Sequence, residues 1–219
     1  MKNITLIIFD LDGTLIDAYP AITESFNYTM RKFGYPAQKA AVIRRAVGWG
    51  DGNLLKPFVE KKDLLSALTV YRAHHKKALL SGSRVFPGVY KVLSTLKNKG
   101  YTLAVASNRP TRFSRILIRH LKLDRFLDYV LCADKLKHGK PHPEILLKIM
   151  RRFRVSPGEA VFVGDMAIDA RAARRAKVKA IMLSTGSSTK QELQKERPCR
   201  IISRIAGLLT ILKSFCCLA

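Results

Sequence analysis

The chain opens with an apolar run over 4–9 that stops abruptly at Asp10-Leu11-Asp12-Gly13-Thr14. An unbroken run of that length predicts a strand buried on both faces. Similar runs recur over 101–107, 126–132, 160–163 and 180–183. Between them the apolar spacing turns helical. Ile22, Phe26, Met30 and Phe33 follow Pro20, and Gly34-Tyr35-Pro36 closes that segment. Helices are also predicted over 89–99, ended by Gly100, over 111–121, over 144–153 and up to Ala176. A Ser/Thr/Gly loop and two terminal elements complete the chain. Strand and helix in alternation predict an α/β fold, a Rossmann-like, doubly wound parallel sheet. From 37 to about 81 the pattern is helical only, over 37–47, 52–59 and 63–80, which predicts a small inserted all-helical unit. The expected division is an α/β core of 1–16 and 83–219 with the helical insertion at 17–82; the turn-rich stretch 81–88 leads back to the core.

Polar chemistry collects where the apolar runs end. Acids at the carboxyl end of a buried strand are costly unless a cation or proton offsets them, and that edge of an open α/β sheet is where ligands bind. Asp10, Asp12 and Thr14 follow the first run, and Ser107-Asn108 the second. Lys140 lies in the rigid turn Gly139-Lys140-Pro141-His142-Pro143, and Asp165 and Asp169 follow the fourth run. A parallel sheet brings these ends to one edge. Taken singly each is weak: Ser-Asn is a turn, and Asp165 with Asp169 could cap a helix.

In this order the four sets, spanning residues 4 to about 187, resemble the motifs of the haloacid dehalogenase-like (HAD) superfamily. Asp10-Leu11-Asp12-Gly13-Thr14-Leu15-Ile16-Asp17 is similar to the first motif of its phosphatases. The resemblance implies that Asp10 is a nucleophile forming an aspartyl-phosphate and that Asp12 is the general acid and base. It implies Mg²⁺ held by Asp10, Asp165 and the backbone carbonyl of Asp12, with Asp169 orienting a metal-bound water. Lys140, Thr14, Ser107 and Asn108 would meet the phosphoryl oxygens, and the insertion would be a helical cap. Dehalogenases lack the second Asp of the first motif, and transporter-type ATPases carry lysine there. The mutase-like branch has a cap histidine where this chain has Ile22, so phosphatase is the expected activity. The segment Arg44 to Leu55, with Gly48, Gly50 and Gly52, looks like the cap segment of phosphoglycolate phosphatases, implying 2-phosphoglycolate as substrate. Pyrophosphate or a nucleotide is the alternative within the superfamily. Arg44, Arg45 and Arg109 could attract a second anionic group, but sequence does not place them in a pocket. Met166 departs from the serine or threonine usual after the fourth-motif Asp, which puts the surroundings of the metal in question.

Composition changes this picture in one respect. Among 219 residues, 47% are hydrophobic and 26% charged, ordinary for a globular protein, and no stretch is long and apolar enough to span a membrane; a cytoplasmic monomer or homodimer is expected. The 40 Lys+Arg against 16 Asp+Glu, however, give +24. Such a field attracts anions generally, nucleic acid included. No helix-turn-helix, zinc-finger or aromatic-interleaved motif accompanies it, so the charges read as solvated helix faces, with a basic nucleic-acid-binding or end-processing protein as the alternative. Cys132 and Cys199 read as small apolar core residues, lacking zinc-ligand spacing. Cys216-Cys217-Leu218-Ala219 formally fits a prenylation box without a polybasic segment directly before it, and reads as a frayed terminus.

Overall fold

Alternation along β1 (Leu6–Phe9) sets the layers: Ile7 and Phe9 point into one hydrophobic layer, Leu6 and Ile8 into the other, and all four are buried. The computed structural model describes residues 3–216. After β1 the chain makes β2 (Ile16–Asp17), then α1 (Tyr19–Lys32), α2 (Ala40–Ala46), α3 (Asp51–Leu55) and α4 (Leu64–Gly82), and returns through β3 (Arg84–Val85). It continues with α5 (Val89–Asn98), β4 (Thr102–Ser107), α6 (Thr111–His120), β5 (Tyr129–Cys132), α7 (Glu144–Phe153), β6 (Ala160–Gly164), α8 (Ala167–Arg175), β7 (Lys179–Leu183), α9 (Lys190–Lys195), β8 (Arg200–Ile202) and α10 (Gly207–Cys216).

The main sheet has six parallel strands in the order β5-β4-β1-β6-β7-β8. The chain leaves β1 for β4 and β5 on one side, then crosses to β6, β7 and β8 on the other. The carboxyl end of β1 therefore lies at the switch in strand order, where such sheets open a crevice. Residues of α5, α6 and α10 bury one face of the sheet, and those of α7, α8 and α9 the other.

The insertion packs α1 against α4 through Ile22, Phe26, Met30, Tyr71, Ala78 and Leu79, all buried, with Phe58 edge-on to Phe26 at 5.0 Å. Helices α1 to α4 all lie between β2 and β3, which pair antiparallel (Ile16 with Val85, Asp17 with Arg84), so the outgoing and returning strands run side by side. Among the described residues no helix is long and apolar enough to cross a membrane.

Several details depart from the sequence reading: the helices expected over 37–47 and 52–59 are shorter, Ala40–Ala46 and Asp51–Leu55. Strand β5 begins at Tyr129, not Phe126, because the Phe126 amide closes a turn onto Leu123 (3.0 Å) and the Asp128 carboxylate is taken by Lys97 (2.7 Å) and the Leu103 amide (2.8 Å). Three elements rather than two follow the last loop, since the three-residue β8 docks beside β7 between two helices. Cys199 is exposed: it precedes an edge strand, although its amide bonds Ala180. Cys132 is buried as expected, its thiol donating to Ser114 Oγ at 3.3 Å. Cys217 to Ala219, and the side chain of Cys216, lie outside the described residues.

Candidate active site

Three carboxylates and one ammonium meet behind the carboxyl ends of β1 and β6. Asp10 directly follows β1, whose parallel register continues in the bond from its amide to Val163 (2.8 Å). Asp165 follows β6, and Asp169 lies one helical turn further on in α8. One oxygen of each lies within 4.8 Å of one oxygen of the others, and all three residues are buried. Lys140 reaches them from the turn before α7. Its ammonium donates to Asp10 Oδ1 (2.6 Å) and Ala106 O (2.9 Å) and pairs with Asp169 Oδ1 (2.7 Å).

Three acids against one lysine leave two negative charges uncancelled in a buried place, which is costly. The titration behaviour reflects this. Burial pushes the Asp10 carboxyl up to about 7, with Lys140 resisting and Asp169 adding to the rise. Burial raises Asp165 well above the usual carboxylate range, reinforced by Asp10 and Asp169. For Lys140 burial works against the charge, but Asp10 and Asp169 outweigh it and the ammonium is held charged. Asp165 Oδ1 accepts from the Thr14 hydroxyl at 2.6 Å, while Oδ2, buried, has no hydrogen-bond partner. That oxygen lies against Gly13 and Gly186, where a Cβ on either would overlap it; Gly13 also has φ +84°, so only glycine suits both its backbone and its neighbour. A hard divalent cation among oxygen ligands would answer both the charge excess and the orphaned oxygen, so the residues fit one.

Above this cluster lies a cavity of about 60 Å³. Asp10, Lys140 and Ser107 form its floor. Asp12 and Arg109 form one wall, and the insertion roofs it with Ile22, Gly48, Leu54 and His75. Drug-sized ligands occupy roughly 300–1,000 Å³, so this space suits a small ligand. Asp12 and Arg109 meet fork to fork: Nε donates to Oδ2 and Nη2 to Oδ1, both at 2.8 Å. The third guanidinium nitrogen, Nη1, faces His75 Nε2 at 2.9 Å.

The strand-end residues read from sequence are thus brought together, but three of them are engaged in particular ways. The Thr14 hydroxyl is given to Asp165. Ser107 Oγ accepts the Arg109 amide at 3.1 Å. Asn108 receives the Lys140 amide (2.8 Å) and donates to Lys140 O (2.9 Å) and Gly48 O (2.8 Å), so it fixes the lysine turn and ties it to the insertion. Met166, the departure noted in the sequence, packs over Gly48 and lines the cavity; a Cβ at Gly48 would overlap its sulfur. Arg44 and Arg45 lie outside the cavity. They bond to the carbonyls of Thr185, Gly186 and Ser187, and Arg45 also to Glu192 (2.5 Å), joining insertion to core. Arg109 does enter the site. His75 had no signal in the sequence beyond sitting four residues after Tyr71, on which it stacks at 4.9 Å.

Comparison with known proteins places these features in a family. A family model described as "Haloacid dehalogenase-like hydrolase" matches residues 7–183. The chain is 30% identical over 214 residues to "Phosphoglycolate phosphatase 1" of Pseudomonas aeruginosa, covering 93% of this chain and 78% of the relative. It is 34% identical over 210 residues to "Probable phosphatase IndB" of Dickeya dadantii, covering 93% and 91%. A crystal structure described as a predicted phosphoglycolate phosphatase from Haemophilus somnus superposes with TM-score 0.91 at 26% identity, covering 96% of this chain and 99% of that one.

Proposed function

The chain belongs to the haloacid dehalogenase-like hydrolases and is a phosphatase, and we propose that it hydrolyses 2-phosphoglycolate with Mg²⁺ through an aspartyl-phosphate on Asp10. The observation that carries this is the pairing of two acids on one strand end with two cations of different function: Asp10 with Lys140 on the floor, Asp12 with Arg109 on the wall.

In the first step an Asp10 oxygen forms a bond to phosphorus as the bond to the ester oxygen breaks, and Asp12 gives that oxygen its proton. In the second, Asp12 takes a proton from the water that attacks phosphorus, and the Asp10–phosphorus bond breaks to release phosphate. Lys140 and the hydrogen-bond donors at the end of β4 stabilise charge on the transferring phosphoryl group. Asp10 and Asp165, with the backbone of Asp12, would hold Mg²⁺, and Asp169 would orient a water beside it. When bound, the cation offsets the repulsion between a carboxylate and a phosphate dianion. Helices α1 to α4, residues 17–82, act as the cap that excludes water from the cavity. We place the enzyme in the cytoplasm, where small phosphorylated metabolites are made.

Small size favours 2-phosphoglycolate over a nucleotide, and the relatives named phosphoglycolate phosphatase support it. The test is phosphate release with Mg²⁺ from 2-phosphoglycolate, pyrophosphate, sugar phosphates, nucleotides and phosphorylated oligonucleotides. Asp10→Asn is the control, with turnover reduced by at least ~10⁴-fold. Preference for the oligonucleotides would instead favour the end-processing reading of the +24 charge.

A further inference from the structure

Arg109 has three hydrogen-bonding directions filled and a neighbourhood with few other charges. Its side chain is 6% exposed. Two directions go to Asp12 and the third to His75 Nε2. The ring of His75 is set by a short relay. The Ser25 hydroxyl donates to Ala21 O at 2.9 Å, so its oxygen is left to accept, and His75 Nδ1 lies 3.1 Å from it. His75 therefore carries its proton on Nδ1 and presents a bare lone pair on Nε2 to Arg109. Burial, and then the Arg109 charge, hold the imidazole neutral.

The other charged groups lining the cavity are committed elsewhere. Lys140 is held by Asp10 and Asp169, and Asp51 by Arg72 at 2.7 and 3.0 Å. Ile22, Leu54 and Phe113, which also line the cavity, offer no polar partner. Among the described residues lining the cavity, Arg109 is thus the one cation outside the acidic cluster. As found, it also takes both oxygens of Asp12, so neither is directed at a leaving group.

We propose that Arg109 is the specificity-determining residue: it receives the carboxylate of the substrate's leaving group and exchanges it for Asp12, freeing Asp12 to reach the ester oxygen. This rests on the phosphatase reading above. In 2-phosphoglycolate only one carbon separates the ester oxygen from the carboxyl carbon, so the group that Arg109 takes and the oxygen that Asp12 serves are neighbours. A substrate with a second anion then assembles the acid–base machinery, whereas a neutral ester must break the Asp12–Arg109 pair without compensation. His75 is a positioning residue. It comes from α4 of the insertion, accepts without adding charge, and fixes the guanidinium plane only while the insertion sits over the core.

The experiment compares two non-hydrolysable ligands by calorimetry in Mg²⁺: 3-phosphonopropanoate, which carries the carboxylate, and propylphosphonate, which lacks it. The wild type should prefer the first by about 10- to 100-fold, the range of one charged hydrogen-bonded contact. Arg109→Gln should erase that preference while changing propylphosphonate affinity by under about 3-fold. Arg109→Lys, which keeps the charge but not the fork, should retain part of it. In turnover, Arg109→Gln should lower kcat/KM for 2-phosphoglycolate by about 100-fold or more, and by at least about 10-fold more than it lowers that for ethyl phosphate. His75→Gln, which keeps an acceptor, should behave closer to wild type than His75→Phe. Equal binding of both phosphonates by the wild type, or equal loss of both in Arg109→Gln and Arg109→Lys, overturns the proposal while leaving the phosphatase reading intact. No phosphate release from any ester in the wild type would defeat that reading instead, and the phosphonate pair would still report on Arg109.

Discussion

Asp10 and Asp12 are two residues apart on one strand end, yet the floor and the wall of the cavity that they occupy are in opposite electrostatic condition. At and beneath the floor, Asp10, Asp165 and Asp169 cluster beside one lysine, which pairs with Asp10 and Asp169, and acid is in excess. On the wall, Asp12 and Arg109 cancel each other through two bonds of 2.8 Å. The acid excess below is one that a cation would offset, whereas the pair on the wall is balanced as it stands. On the reading proposed above, this would separate the two tasks of a phosphatase: negative charge concentrated where a metal and a phosphoryl group would meet, and the proton-transfer group stored in an exchangeable pair. Exchange is feasible on the wall because the Asp12 side chain is 14% exposed to the cavity. On the floor Lys140 is only 2% exposed, and its partner Asp169 is fully buried.

The contrast can be broken most directly by removing each cation in turn. Lys140→Met leaves three buried acids without a counter-charge and should cost about 3–5 kcal/mol in urea unfolding without metal, with part regained in Mg²⁺. Arg109→Met leaves one acid beside the cavity and should cost clearly less. If Arg109→Met proves the more damaging of the two, the floor is not the strained region and the comparison fails.

A smaller effect sharpens the description of the wall. Burial first, and Arg109 second, lower the His75 imidazole from 6.5 to about 2. The unfolded chain then binds a proton that the folded one refuses between those values. The stability associated with neutral His75 is therefore fully present above pH 6.5 and is lost as pH falls toward 2. Between pH 7 and pH 5 the wild type should lose about 2 kcal/mol that His75→Phe does not lose. Parallel stability–pH curves for the two proteins over that interval would show that His75 is not held neutral.

The smallest effect belongs to the outer seam between insertion and core. Arg45 and Glu192 form an exposed pair, although Arg45 also bonds Ser187 O at 2.7 Å. Arg45→Ala should cost no more than about 1 kcal/mol, less at high salt. A larger, salt-independent loss in thermal unfolding would place this seam with the buried wall rather than with the surface.

How much of this could be read along the chain depends on the range of the interactions. The runs ending at Phe9, Ser107 and Gly164 become parallel strands because nothing but a doubly covered sheet buries them, and a parallel sheet has all its carboxyl ends on one edge. Apolar pattern thus puts Asp10, Ser107 and Asp165 on one edge, and the strand order, with β1 between β4 and β6, makes them neighbours. Lys140 was legible through the turn that carries it. Strand ends set by side-chain capture of an amide, as at Asp128, and a three-residue edge strand such as β8, leave too little periodicity to be seen.

The sheet, the order of the polar groups along the chain and the acids at its edge follow from local apolar pattern and the handedness of strand–helix–strand crossings. Which partner each polar group takes there is set by long-range packing. Thr14 turns to Asp165, 151 residues away; Arg109 turns to Asp12, 97 residues away; and His75 reaches Arg109 only because α4 folds back over α6. A side-chain hydrogen bond needs its partner within about 3 Å, and no spacing along the chain encodes which distant partner the packing of an inserted helical layer will deliver.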